Sequence, residues 1–371
     1  MKRISAATGI AWLLVVACLS MSGWVMAEQA RKGLSLAEMR QVVAAASARA
    51  PAWNGPRTGP AGRHGMRVAV ICEDLRNGGV LGVARGVGEA AAVMGWRVRM
   101  FDAHGTPAGR DKEIAAALAM KPDGAILVGS DARTLRNKLA RFAERNIPLV
   151  GWHVGPVAGA LSSGPVAMNV STDPIEVARV TAMAAIVDAG GRLGAVIFTD
   201  PNFEIAIAKA NAMAYVIRQC DACKVLEVRE VPISQSARLM PQVTRELLAR
   251  YGARWTDALA INDIYFDYAT PELAKAGADV HLFSAGDGSP AAFLRIQAGT
   301  LQVGTVAEPL NMQGWQLVDE LNRLLAGQPV SGYVVPVHLV TRQNVAFDGG
   351  AQMLFDPDNG YRQVYRRIWK R

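Results

Sequence analysis

From Met66 onward the chain alternates two kinds of pattern. Short strand-like runs, mostly apolar, occur at 68–72 (VAVIC), 97–101 (RVRMF), 124–128 (GAILV) and 148–152 (PLVGW). Between them lie longer stretches, near 80–95, 108–120 and 131–145, whose apolar positions recur at helical spacing. The second half repeats the scheme with runs at 193–198 (LGAVIF), 224–228 (KVLEV), 257–261 (DALAI), 280–284 (VHLFS) and 302–306 (QVGTV), again separated by amphipathic stretches. A strand apolar on both faces needs both faces covered, so such strands alternating with helices predict a parallel sheet between helical layers. The expected fold class is α/β: two doubly wound parallel-sheet lobes, with binding loops at the carboxyl ends of the strands.

The first 65 residues break the pattern. Met1-Lys2-Arg3 is a short positive segment, and Ile10 to Ser20 (IAWLLVVACLS) is an apolar core of secretory-signal length. Val25-Met26-Ala27 then offers small residues for cleavage before Glu28, so 1–27 is expected to be a signal peptide and the protein periplasmic. Val15-Val16-Ala17-Cys18 is a competing lipoprotein box, which would lipidate Cys18; the apolar run continues past it, which favours ordinary cleavage. No later stretch is long and apolar enough for a membrane helix. Ser35-Leu36-Ala37-Glu38 reads as a capped helix start, with the helix running to about Ala50. Residues 51–65, PAWNGPRTGPAGRHG, form a Pro/Gly linker whose Trp53 is expected to pack on the body.

Charge narrows the partners only slightly. The net charge is +8, falling to +6 if Lys2 and Arg3 leave with the signal. No Lys/Arg cluster dominates a segment, which argues against nucleic acid; the basic tail, Arg362 to Arg371, reads as a solvated face.

Two motifs invite chemistry and lose it on inspection. Gly86-Val87-Gly88-Glu89-Ala90-Ala91 matches a dinucleotide fingerprint. That motif works only when its first glycine turns the chain from strand to helix, and here Gly86 falls two turns inside the helix. Gly86 and Gly88 are expected instead to let the helix lie close on the sheet. Cys220-Asp-Ala-Cys223 could be a redox pair, half a zinc site or a structural disulfide. It follows a helix rather than opening one, and the five histidines are scattered, so a disulfide at the helix-to-strand turn is expected. Cys72 reads as a small core residue.

The strand-end loops carry EDLRNGG (73–79), WHVG (152–155), STD (171–173), TDPNFE (199–204), ND (262–263), GDGSP (286–290) and AEP (307–309). Polar and aromatic groups converge there without an evident nucleophile–base pair, which suits a site that hydrogen-bonds a small polar molecule. From 66 to about 330 the chain resembles the type I periplasmic solute-binding proteins of sugar ABC transporters, the ribose-binding-like family. The resemblance rests on the order and spacing of 67–72 with Asn77, Gly86 and AAAVMGW; KPDGAILVGSD with RNIPLVGWH; ALAINDIYFDYA; LFSAGDGSPAAFLRIQAGT; and QVGTVAEPLNMQGWQLVDELNRLLAGQPV.

The resemblance implies a non-enzymatic protein without cofactor or metal, which captures a sugar or polyol between its lobes and presents it to the membrane subunits of an ABC permease. It implies cleft residues Asn77, His153, Lys209, Asn262, Asp287 and Glu308, with Trp152 and Phe203 (or Tyr265 or Phe266) available for stacking on a sugar face. It implies lobes of 66–172 plus about 309–335 and of 173–308 plus about 336–371, with hinge crossings near 170–174, 306–310 and 330–336. Three departures stand out. Gly79-Val80 replaces the family's aromatic pair in the first loop, His153 its usual Asp, and Glu308 its usual Gln. With Lys209 these would also suit a charged ligand. The extra N-terminal region, 28–65, raises a second reading, a periplasmic sensor that shows its closed form to a membrane histidine kinase. A repressor of this fold would need an N-terminal helix-turn-helix where the signal-like segment stands.

Overall fold

The computed structural model describes residues 33–370; the segment 1–27 expected to be a signal peptide, with Cys18, lies outside them. The first helix, α1 (Leu36–Ala46), starts where the sequence places it: Ser35 accepts from the Glu38 amide, and Glu38 reaches back to the Ser35 amide, closing a capping box. The first lobe then follows as β1 (Arg67–Cys72), α2 (Gly78–Val93), β2 (Arg97–Asp102), α3 (Pro107–Ala119), β3 (Gly124–Val128), α4 (Arg136–Ala143), β4 (Leu149–Trp152), β5 (Gly159–Ala160) and β6 (Met168–Val170). The chain passes into the second lobe with α5 (Pro174–Asp188), β7 (Gly194–Thr199), α6 (Glu204–Arg218), β8 (Lys224–Glu230), α7 (Ser236–Tyr251), β9 (Asp257–Ala260), α8 (Ile264–Lys275), β10 (His281–Ser284), α9 (Pro290–Gln297) and β11 (Gln302–Val306). It returns with α10 (Leu310–Leu325), crosses again to β12 (Leu339–Thr341) and α11 (Val345–Asp348), and ends in α12 (Tyr361–Trp369).

Each lobe holds a six-stranded sheet, ordered β2-β1-β3-β4-β6-β5 and β12-β11-β10-β9-β7-β8. Pairing is parallel except at one edge of each sheet, where β5 and β12 run antiparallel to β6 and β11. The central strands are buried along their length, as near-continuous apolar runs require. Helices open on a recurring local device: Thr106, Asp173 and Ser289 cap the amide ends, and Pro107, Pro174 and Pro290 follow in the first turn. The crossing segments are tied to one another at the hinge. Thr172 and Val335 form a parallel bridge, and the Ala307 amide donates to the His338 carbonyl at 2.9 Å.

Several expectations need correction. The basic tail is not a solvated face, and its last helix does not belong with the second lobe. Tyr361, Tyr365, Ile368 and Trp369 are buried in the first lobe's core beside Trp315, while Arg362 pairs with Glu89 and Asp356 on its surface. Residues 339–355 do stay with the second lobe, packing Val340, Val345 and Phe355 against Phe293. Gly86 allows a helix–helix approach rather than a helix–sheet one: a Cβ there would meet the Asn311 backbone at 2.6 Å, and Gly314 faces it reciprocally. Trp53, 4% exposed, does pack on the body as expected, against Tyr333, Tyr361 and Tyr365. The N-terminal region therefore straps the back of the hinge: α1 packs on α5 of the second lobe, and the linker lies on the first.

Candidate functional site

Between the lobes, at the carboxyl ends of both sheets, one cleft is walled by Asn77, Val80, Gly129, Trp152 and His153 from the first lobe. Phe203, Ile205, Ala206, Lys209, Ile233, Ile261, Asn262 and Asp287 face them from the second. It encloses about 60 Å³, room for roughly four to six water-sized spheres.

Local structure places each polar group. Asn77 is the N-cap of α2 and accepts from the Gly79 amide at 2.9 Å. Asn262 follows β9 and braces the start of α8, its Oδ1 accepting from the Ile264 amide at 3.0 Å. Its Nδ2 donates to Asp287 Oδ2 at 2.7 Å, so one amide is fixed from both sides. Lys209, one turn into α6, is buried and donates to the Ala285 carbonyl at 2.7 Å. A Cβ on Gly79 would fall 2.0 Å from Asp287 Oδ2. Glycine at 79 thus makes room for a carboxylate arriving from the other lobe, where the resembled family places an aromatic ring.

Behind the cleft lies a second polar layer. The His153 ring stacks on Trp152 with centroids 3.7 Å apart, and its Nε2 lies 3.0 Å from Glu308 Oε1. Glu308 Oε2 accepts from the Thr172 amide and hydroxyl at 3.2 and 3.0 Å and from Gln313 Nε2. Trp152 Nε1 closes the ring of bonds by donating to Gln313 Oε1 at 2.8 Å. His153 Nδ1 is 3.9 Å from Asp287 Oδ1, which links this layer to the cleft. The backbone of His153 adopts φ 51°, a left-handed conformation uncommon for a residue with a side chain and held here by its surroundings.

The two carboxylates are pushed opposite ways. Burial raises the Asp287 carboxyl above its ordinary range, with His153 and Lys209 partly offsetting it. Burial acts on Glu308 in the same sense but is outweighed by His153, Lys209 and the Gln313 hydrogen bond, which hold it at about 2.

Asn77, Trp152, His153, Phe203, Lys209, Asn262 and Asp287 therefore converge on one cavity. Glu308 does not line it; it is a buried tie between His153 and the first hinge strand. Tyr265 and Phe266 are fully buried in the second lobe's core, the Tyr265 hydroxyl donating to the Val231 carbonyl, and neither can stack on a ligand. Sequence reasoning missed Gln313, although Gln313, Gln316 and Glu320 on one apolar helix were a visible sign of buried polar partners. It also missed a rim latch: the Glu204 amide of the second lobe donates to Asp131 of the first at 2.9 Å, and Arg133 pairs with Glu204 at 2.5 Å. Elsewhere the Cys220 and Cys223 sulfurs lie within bonding distance at the α6–β8 turn, and Cys72 is buried, its thiol pushed up to about 12 by burial.

Two α/β lobes, hinged by crossing strands around a buried polar cleft, define a two-lobed solute-binding protein. The family model described as "Periplasmic binding protein domain" matches residues 68–329, and the chain belongs to that family of solute-binding proteins, which are not enzymes. By sequence, no curated protein matches it. Among solved structures, it is similar to an ABC transporter solute-binding protein from Agrobacterium vitis with bound allitol (20% identity, TM-score 0.66, covering 76% of this chain and 96% of that one). It is likewise similar to the Caulobacter myo-inositol binding protein bound to myo-inositol (19%, 0.66, covering 77% and 96%). A third is a solute-binding protein from Mycobacterium smegmatis with bound glycerol (17%, 0.69, covering 78% and 99%). At these identities the likeness is one of fold.

Proposed function

We propose that this protein is exported to the periplasm after cleavage before Glu28, captures a small sugar or polyol between its lobes, and delivers it in the closed form to the membrane subunits of an ABC importer. The observation that carries the reading is the convergence of Asn77, Lys209, Asn262 and Asp287, donors and acceptors from both lobes, on one cavity with apolar walls from Phe203, Ile205 and Ile261. Hydroxyl groups both donate and accept, so a polyol can satisfy such a set, whereas an unpaired buried partner costs on the order of 1–3 kcal/mol. Asn262 and Asp287, already bonded to each other, hold one hydroxyl between them; Lys209 donates to a second; Phe203 covers the C–H face. The allitol, myo-inositol and glycerol bound by the similar structures are polyhydroxylated molecules of this kind.

The walls of the cavity come from both lobes, so ligand entry calls for the lobes to part about the Thr172–Val335 bridge. Ligand then favours reclosure. Reversing a closed population of about 1% takes roughly 5.5 kcal/mol of preference for the closed state. The working division is 66–172 with 309–335 for one lobe and 173–308 with 336–355 for the other, 361–369 rejoining the first. The Cys220–Cys223 pair is oxidised in that compartment.

The test is thermal unfolding against a panel of polyols, pentoses, hexoses and charged metabolites. A ligand at a hundred times its Kd should add about 2.7 kcal/mol, a shift of a few degrees. A neutral polyol that shifts the wild type and not Asp287→Ala supports the reading. A response confined to charged compounds, or none at all, overturns it.

A further inference from the structure

The second lobe carries another constellation at the opposite edge of its sheet, far from the cleft. We propose that Asp188, Asp257 and His281 form a divalent transition-metal site that fits Zn²⁺.

The topology assembles it. β9 and β10 are adjacent parallel strands, and Asp257 and His281, the first residue of each, are paired in register. Residues so paired point to the same face of the sheet, here at its amino edge. Asp188 is the last residue of α5, which packs on that sheet and delivers its carboxylate to the same place. One ligand atom from each of the three lies within 4.8 Å of the other two, and His281 Nδ1 is 2.5 Å from Asp188 Oδ2.

A second, independent observation points to a ligand. Asp257 is only 2% exposed. Its Oδ2 accepts from the Thr256 hydroxyl at 2.6 Å, but its Oδ1 is shielded from solvent and has no hydrogen-bond partner among the described residues. Buried carboxylate oxygens are rarely left so, because the unmade bond carries the full desolvation cost. A cation beside His281 and Asp188 would supply the missing partner.

The surroundings suit a cation. The carboxyl end of α5 carries the negative pole of the helix dipole. The Asp188 and His281 side chains, 31% and 43% exposed, leave an entry path from solvent, and Asp279 stands 3.7 Å from His281 Nε2 on the outer side. The donor set decides the class of ion. One imidazole nitrogen and two carboxylate oxygens, with remaining positions open to water, suit Zn²⁺ or a neighbouring transition metal; Ca²⁺ calls for six to eight oxygens. In such a site the metal would take the place of the direct His281–Asp188 hydrogen bond. The inference does not depend on the cleft's ligand.

The experiment is calorimetric titration of chelator-treated full chain with Zn²⁺, paired with Co²⁺ titration read by visible absorption. The expected result is one ion per chain at micromolar affinity, a Tm raised by a few degrees, and a Co²⁺ spectrum of nitrogen–oxygen ligation. Affinity should fall at least tenfold in Asp257→Asn and in His281→Gln. Asp188→Ala, at an exposed helix end, should keep the metal-free Tm and lose the same affinity, which separates loss of the site from loss of the fold. No saturable binding, or equal binding by wild type and Asp188→Ala, overturns the proposal.

Discussion

The front and the back of the hinge are built from different materials. At the front, facing the cleft, the first and second crossings are joined by charge and hydrogen bonds: Glu308 holds Thr172, His153 and Gln313 in one buried network. At the back, the linker is held to the first lobe by aromatic packing. Trp53 of the linker packs on Tyr333 and Tyr365, and Trp315 stacks on Trp369 with centroids 5.3 Å apart. Polar networks are directional and fix one geometry, whereas close-packed aromatic rings hold by buried area and shape. The front therefore ties the crossings to one another, while the aromatic cluster at the back anchors the linker and the last helix to the first lobe.

The back should give way most. Trp53→Ala removes a buried indole and its aromatic partners, and is expected to cost about 3–5 kcal/mol in chemical unfolding. A loss under 1 kcal/mol would mean the strap is dispensable.

At the front, Glu308 has its carboxyl lowered from 4.5 to about 2. A depressed acid stabilises the fold above its unfolded value and loses that contribution as pH falls through the folded one. Wild-type stability should thus drop by on the order of 3 kcal/mol between about pH 5 and pH 2, and Glu308→Gln should flatten that slope. Asp287 has the opposite sign, since its raised carboxyl makes ionisation unfavourable to folding. Asp287→Asn should leave stability near pH 7 unchanged or higher while abolishing ligand binding, which urea titration and calorimetry together would read.

Lys209→Met is next. It keeps the buried stem but removes the donor, and should weaken ligand binding by about 1.5–3 kcal/mol and lower Tm as well, since the Ala285 carbonyl and the buried carboxylates lose their cation. The smallest effect belongs to the rim latch. Arg133 is largely exposed, so Arg133→Ala should change stability by less than about 1 kcal/mol, and any effect should appear in the ligand's off-rate.

The sequence revealed most where one physical signal acted alone. The central strands were plain because burial on both faces leaves no polar positions, as in Gly124–Val128. The short strands β5, β6 and β12, of two or three residues, are too short to show a period. The tail was misread because its arginines drew attention from a stripe at 361, 365, 368 and 369, a helical spacing that α12 buries. Arg362 and Arg366 are part of that packing, lying over the Tyr361 and Trp315 rings. The cleft residues followed from strand ends, which topology fixes. Glu308 could not be separated from them, because whether it faces ligand or hinge depends on how His153 stacks on Trp152, a contact between side chains on neighbouring residues of one strand end.

The terminal helix has a consequence for how the molecule comes into being. The first lobe draws on residues from Trp53 to Trp369, so its core stays unfinished until residue 369 has been made. The second lobe is equally discontinuous, since β12 completes its sheet from beyond α10. Such long-range closure is slow and leaves apolar surface open in the interim. Neither lobe can complete its enclosure before the returning segments 339–341 and 361–369 are in place.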